Sequence, residues 1–421
     1  MQAIGEGVAL FPAASVAYRN NDVPHEFRQD SDFYYLSGFE EPDSILLLSS
    51  HHPEHRVVLF VEPSNPERAR WDGPRAGLEG AVEQYGADVA YPLDQLVQHL
   101  PQYLTGARRV HVRLDHGRHF TIKLLEILDK MRGQLRRGVV VPTEIVDPSQ
   151  TLHRMRMSKS ALEVDLMRHA LSITRDAHHN ALRTARSGAW EFEVEAELLR
   201  TFRAHGSPRA AYGSIVGSGN NATILHYRAN NARLCDGDLV LIDAGCEWQY
   251  YASDITRTFP VNGYFTPPQR ALYDIVLAAE EAAIGTVKPG ATLEDVHHAA
   301  LSVLVDGLIS VGLCVGSRDD VLDDGSYRRF FMHKTSHWLG MDVHDVGDYA
   351  GPDGPVTLKP GYVLTVEPGL YVPKEHANGS IYGGIGVRIE DNVLVTPTGV
   401  DVLSADIPKR PYELEALLAE R

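Results

Sequence analysis

Two short runs constrain this chain more than any other feature. Residues 239–243 read LVLID and residues 363–367 read VLTVE, each an apolar stretch that closes on an acid, with one residue and then a glycine after it (DGDLVLIDAG at 236–245, PGYVLTVEPG at 360–369). A run of branched apolar residues bounded by turn glycines predicts a buried strand. An ionised carboxylate at the end of such a strand is costly unless it is paired or binds a cation. Each run is followed by a second strand that also carries an acid, Asp254 in SDITRTFPV and Glu390 in RIEDNVLVT. RSGAWEFEVEAEL (186–198) and KPGATLEDVHHAA (288–300) form another matching pair, each a basic residue, then Gly-Ala, then an acidic helix start. The pattern is that of two βαβ-like halves related by pseudo-symmetry, with acids from both halves at one centre, although repeats this short also arise by chance.

The chain has 421 residues, more than one hydrophobic core usually serves, so two domains are expected. Residues 1 to about 147 alternate strand and helix signals. VVLFV (57–61) and GVVVP (138–142) read as short strands, and 119–136 has helical periodicity. Asp147-Pro148 is a break, because the residue before proline is pushed out of helical space. A long helix from about 160 to 186 follows, opened by a capping box of Ser160 and Glu163. The fold class is therefore α/β (α+β), with an N-terminal α/β domain at 1–150 and a catalytic domain at 151–421. The boundary is placed near 148–158.

Asp243 and Asp254 are eleven residues apart, a spacing that suits a hairpin bringing two carboxylates together. Close carboxylates repel unless a cation intervenes. Taken singly, each acid could equally cap a loop or pair with an arginine such as Arg257. The segment FFMHKTSHWLGMDVHDVGDY (330–349) holds His333, His337 and His344. It lacks the glutamate that a zincin helix places after its first histidine, since Lys334 stands there. Arg388 and Glu390, two apart, share a strand face, where Arg388 can steady a carboxylate. Asp243, Asp254, Glu367 and Glu390 with His337 make four carboxylates and one imidazole. Their charge balances two divalent cations, and the donor set favours manganese, with cobalt or zinc as alternatives. Two such ions can hold a bridging hydroxide and polarise a carbonyl.

At these residues the chain resembles the pita-bread metallopeptidases, which include methionine aminopeptidase, prolidase and aminopeptidase P. The blocks are ILHY (224–227), LVLIDAGCEWQYYASDITRTFPV (239–261), MHKTSHWLGMDVHDVG (332–347), LTVEPGLYV (364–372) and GIGVRIEDNVLVT (384–396). FRQDSDFYYLSGFEEPDSILLL (27–48) and RWDGPRAGLEGA (70–81) resemble the N-terminal region of bacterial aminopeptidase P. HKTSH differs from the more usual His-Gly-Leu-Ser-His. The chain also starts inside a region where bacterial members usually have a further helix. The resemblance implies hydrolysis of an N-terminal Xaa-Pro bond. It implies that Asp243 and Asp254 bind one metal, that Asp254, His337, Glu367 and Glu390 bind the other, and that Asp254 and Glu390 bridge. Glu367 is then the general base. His226 and His344 stabilise the scissile carbonyl and the tetrahedral intermediate, and His333 lines the proline pocket. Arg388 and Tyr371 orient the site. Trp71 is expected to reach a neighbouring subunit's site in a homo-oligomer, a dimer or tetramer, and Asp22 with Arg156 to pair near the substrate's N-terminus.

Proline explains why such a site must be specialised: an Xaa-Pro bond has no N–H, and its nitrogen bears a ring. Prolidase, which cleaves Xaa-Pro dipeptides, shares the ligands and is the nearest alternative. Methionine aminopeptidase generally lacks so large an N-terminal domain. A non-enzymatic binding module on this fold, or a metal-free creatinase-like hydrolase, would not be expected to keep all five ligands. A net charge of -16 argues against nucleic-acid or anionic-membrane partners. Three cysteines without metal-ligand spacing fit a reducing compartment, and the opening MQAIGEGVALFPAAS lacks a signal-peptide pattern. A cytoplasmic enzyme with peptide substrates is the expectation.

Overall fold

The computed structural model describes residues 4, 5, 7–352, 354–377 and 379–421. The chain divides into two compact units, Met1–His153 and Arg154–Arg421. The division falls inside the helix Ser149–Met157.

The first unit is built on six strands: β1 (Gly7–Pro12), β2 (Ile45–Ser49), β3 (Val57–Val61), β4 (Val89–Pro92), β5 (Arg109–His111) and β6 (Glu144–Val146). Their order across the sheet is β4-β3-β2-β1-β5-β6. β2 runs antiparallel to β1 and β3; the remaining pairs are parallel. Both faces of the central strands are apolar, as a sheet covered on two sides requires. Val8, Leu10, Leu47, Val58 and Phe60 face helices α1 (Leu96–Leu104) and α2 (Arg118–Arg132), which supply Leu100, Tyr103, Leu124 and Ile127. Leu46, Leu59 and Val61 face the other way, onto Phe33, Phe39 and Ala81. Alternation along each strand thus feeds two cores from one sheet.

One expectation fails here. GVVVP (138–142) is not a strand; pairing with β5 begins only at Glu144. Pro142 has no N–H to give a ladder. The segment instead lies beside α1, where the Val140 carbonyl accepts the Gly106 N–H, and Val141 is buried in the core.

The second unit opens with α3 (Ala161–Thr184), whose first turn is closed by the Ser160–Glu163 capping box, and α4 (Glu191–Ala204). The antiparallel sheet β7 (Ile215–Ser218), β8 (Leu239–Asp243) and β9 (Thr256–Pro260) follows. Two more helices, α5 (Pro267–Thr286) and α6 (Leu293–Ser310), lead to β10 (Val363–Val366), β11 (Gly369–Val372), β12 (Ile385–Arg388) and β13 (Asp391–Val395). β10 pairs with β13 and β11 with β12, both antiparallel. The chain ends in α7 (Pro411–Ala419).

The two halves repeat each other bond for bond. Gly188 N–H donates to the Leu234 carbonyl and Leu234 N–H to Ala189; Gly290 N–H donates to the Leu358 carbonyl and Leu358 N–H to Ala291. Trp190 bridges Arg233, and Thr292 bridges Thr357. α4 and α6 begin immediately after these bridges, and β8 and β10 begin shortly beyond them. The pseudo-symmetry read from the sequence is therefore present in the backbone. A single large core joins the halves, from Val240 and Ile242 on β8 to Leu364 and Val366 on β10.

Candidate active site

β8 delivers Asp243 at its last residue, and its partner β9 pairs Thr256 with Asp243. Asp254 lies just before β9, so it reaches the same end of the sheet. The glycine one residue after the acid makes the approach possible: a Cβ on Gly245 would lie 1.7 Å from the Ser253 carbonyl oxygen. The second half uses its glycine likewise, because a Cβ on Gly369 would come within 2.5 Å of the Tyr371 hydroxyl. The acid-x-glycine motif thus packs a neighbouring segment against each acid-bearing strand end. Asn392 on β13 locks Asp254 from the other half, accepting its N–H at 3.1 Å and donating to its carbonyl at 2.5 Å. Glu390 N–H donates to the Thr256 carbonyl, and the Thr256 hydroxyl donates to Glu390 Oε2 at 2.7 Å.

These elements form the floor of a cavity of about 310 Å³. It is lined by Asp243, Asp254, Glu367, Glu390 and His337, and also by His226, His333, His344 and Arg388. His337 Nδ1–H donates to the Trp338 carbonyl, which turns Nε2 toward Asp254 and Glu367, each 3.4 Å away. Ligand atoms of Asp254, His337 and Glu390 lie within 4.8 Å of one another. Arg388 donates to Asp243 Oδ2 at 2.5 Å and to the Tyr371 hydroxyl at 3.0 Å. Tyr371 in turn is 2.9 Å from His333 Nε2, while His333 Nδ1–H donates to the Lys334 carbonyl. The His337 and His344 rings meet edge to face, with centroids 4.4 Å apart.

The buried floor groups act strongly on one another. Burial, then the neighbouring Asp254 and Glu367 charges, pushes Glu390 far above the carboxylate range. Burial also raises Asp254, and it pushes Glu367 up to about 7 against the pull of the His337 charge. His337 goes the other way: burial opposes its charge, but the Asp254 hydrogen bond and the Glu367 charge raise it to about 9. A cluster of buried oxygens with one imidazole aimed inward fits divalent ions, which would let all four carboxylates ionise. Outside the floor, burial pushes His333 down to about 4 and lowers His344, so both imidazoles are neutral at pH 7.

Of the other residues named from the sequence, Tyr371 is fully buried beneath the cavity and Arg156 does not line it. Arg156 is buried and donates to Asp342 and to Asp345, the neighbour of His344; Lys159 also donates to Asp345. Trp71 is 89% exposed on the helix Pro66–Asp72, and Asp22 is exposed at the turn of a small hairpin.

Two residues, Tyr212 and Glu191, had no signal in the sequence, and a third, Arg257, has a role other than the one expected. The Tyr212 hydroxyl lies between Asp243 Oδ1, at 2.6 Å, and Asp254 Oδ1, within hydrogen-bond reach of both. Arg257, fully buried, donates to the Glu390 carbonyl and to Asp391 Oδ1, tying β9 to the strand after Glu390. Glu191 accepts from Ser218, Asn221, Tyr227 and Ala232, and so fixes the segment that carries His226. Arg257 appeared in the sequence only as a possible partner of the floor acids. Its carboxylate partner is Asp391.

Comparison with known proteins agrees with this geometry. Residues 165–397 match metallopeptidase family M24, and residues 1–112 match the aminopeptidase P N-terminal domain. The Xaa-Pro aminopeptidase of Escherichia coli K12 is 41% identical over 98% of this chain and 94% of its own length. Human Xaa-Pro aminopeptidase 3 is 36% identical over 96% of this chain and 79% of its own. Among solved structures, Pseudomonas aeruginosa aminopeptidase PepP superposes with a TM-score of 0.97 at 45% identity, covering 99% of this chain and 94% of that one. A variant of E. coli aminopeptidase P in complex with substrate gives 0.95 at 40% identity, with the same coverage. By sequence, fold and the make-up of its cavity floor, the chain belongs to metallopeptidase family M24, in the aminopeptidase P group with its pita-bread fold.

Proposed function

We propose that this chain is an Xaa-Pro aminopeptidase that removes the first residue of peptides with proline in second place, using two divalent ions. The observation that carries the reading is the convergence of four acids and one imidazole, drawn from both halves, beneath a cavity walled by His226, His333 and His344. Asp243 and Asp254 would hold one ion, and Asp254, His337, Glu367 and Glu390 the other, with Asp254 and Glu390 shared. When bound, two such ions supply a water activated at neutral pH and polarise the scissile carbonyl.

The chain's own residues do the rest. Glu367 accepts the proton of the attacking water and returns it to the proline nitrogen as the bond breaks. His226 and His344 donate hydrogen bonds to the oxygen on which charge develops. Arg388 holds Asp243 and Tyr371, and Tyr371 holds His333, which faces the proline ring. Arg156 supports the segment that ends in His344 through Asp342 and Asp345; the resemblance sets Asp22 with it on the side of the substrate's free amine. Manganese is the proposed metal, with zinc or cobalt as alternatives, and the cytoplasm the proposed compartment. No helix among the described residues is long and apolar enough to cross a membrane. The exposed Trp71 supports a homo-oligomer in which it reaches a neighbour's site.

The test compares Ala-Pro-Ala with Ala-Pro, using metal-stripped protein before and after adding manganese. Manganese-dependent cleavage, much faster for the tripeptide, is the expected result. Cleavage of the dipeptide alone would make the chain a prolidase, and no cleavage with any divalent ion would remove the catalytic reading.

A further inference from the structure

Two cations at the cavity have no role in the chemistry above. Arg228 and Lys334 both line it and are both exposed. Among the described residues neither side chain makes an ion pair or hydrogen bond. Other arginines of the unit are paired within the fold: Arg200, Arg209, Arg257, Arg270, Arg318 and Arg388 all donate to carboxylates. The chain carries a net charge of -16, so acidic partners are plentiful. The Arg228 side chain runs beside Gly213, where an added Cβ would stand in ordinary contact with its Cδ and Nε at 3.6 Å. The guanidinium group therefore lies along the backbone next to Tyr212, at the cavity wall. Lys334 follows His333, whose ring donates to the Lys334 carbonyl.

We propose that Arg228 and Lys334 form a carboxylate-binding subsite that reads the C-terminal carboxylate of short peptides, making tripeptides the preferred substrates. The inference rests on the peptidase reading above and adds a substrate class to it. Planar guanidinium and ammonium groups without internal partners suit a carboxylate that arrives with the substrate. A free C-terminal carboxylate is the charge at the far end of a short peptide, and cations on the cavity wall attract it. In an extended tripeptide that end lies roughly 7 Å beyond the scissile bond, two residues along.

The experiment measures kcat and KM of the metal-loaded full-length protein on Ala-Pro-Ala, Ala-Pro-Ala-amide and Ala-Pro-Glu-amide, at low and high salt. The expected result is a KM about tenfold lower for the free acid than for its amide, with similar kcat. Salt should shrink that ratio. Arg228→Gln combined with Lys334→Gly should bring it near one, and Arg228→Lys should restore part of it. Equal KM values for the acid and amide in the unmodified protein would overturn the proposal. A preference for Ala-Pro-Glu-amide as strong as that for Ala-Pro-Ala would overturn it too, since the cations would then read an acidic side chain instead of a terminus. Failure to cut any of the three peptides would instead sink the peptidase reading itself.

Discussion

Glu367 and Asp254 carry different burdens, and substitution separates them. Glu367→Gln keeps the shape and one oxygen but cannot accept a proton. Turnover should fall by about 10²–10⁴-fold, with part of the metal still bound on elemental analysis. A near-normal rate would remove Glu367 as the base. Asp254→Ala removes a group that faces His337 and Tyr212 at once, so activity should vanish while circular dichroism stays native; residual turnover would refute its place among the ligands. Tyr212 makes a subtler case. Its hydroxyl lies within hydrogen-bond reach of both aspartates with one proton to donate, and burial followed by their charges raises its own pKa well above the phenol range, so it stays protonated. Tyr212→Phe should weaken metal affinity by about 10–100-fold in a competition titration with a chelator, since it withdraws a bond that orients two ligands. Unchanged affinity would reduce Tyr212 to a packing residue. The acids were legible in the sequence because an acid at the end of an apolar strand violates a burial rule. Tyr212 breaks no such rule: a tyrosine before a glycine in RAAYGS looks like any loop residue until the fold lays it across Asp243 and Asp254.

Strands and helices were legible where period and punctuation agree. The capping box at Ser160, the glycine turns before β8 and β10, and the Gly-Ala starts of α4 and α6 are all local signals, and each stands in the structure. GVVVP misled because four apolar residues look like a strand whether or not a neighbour offers a ladder. What holds the segment between β7 and β8 was not legible at all, since its anchor is remote. Glu191, at the start of α4, takes hydrogen bonds from Ser218, Asn221, Tyr227 and Ala232 and makes no ion pair among the described residues. Five donors converge on two oxygens, a pattern that an amide cannot satisfy. Glu191→Gln sets an NH₂ group against N–H donors and should cost about 3 kcal/mol of stability. It should also loosen His226, which the same segment carries into the cavity. The expected signature is a lower melting temperature together with a lower kcat on Ala-Pro-Ala. A variant that melts earlier yet keeps full kcat would show that Glu191 stabilises the fold without positioning His226.

At the scale of the whole catalytic unit, the halves meet across one core, and a polar group buried there couples folding to pH. His178 on α3 is fully buried. Its Nε2–H donates to the Ala244 carbonyl at 3.0 Å, and its Nδ1 has no hydrogen-bond partner among the described residues. The imidazole is thus built in as the neutral form, and burial pushes its pKa down to about 4. The unfolded chain takes up a proton near the ordinary value of 6.5. Between those two values the unfolded state binds more protons than the folded one, so stability is full above pH 6.5 and declines as pH falls toward 4. The loss over that window amounts to about 3 kcal/mol from this residue. His297 and His333, also pushed to about 4 chiefly by burial, act in the same direction. His178→Gln isolates the first contribution, because its amide can still donate to Ala244 but does not titrate. Urea unfolding of metal-stripped protein at pH 7 and pH 4.5 measures it without linkage to metal binding. The variant should be somewhat less stable than the unmodified protein at pH 7, and the gap should close or reverse at pH 4.5. Parallel pH profiles for the two proteins would show that His178 carries its charge inside the fold, and the account of a neutral histidine joining α3 to the end of β8 would fall.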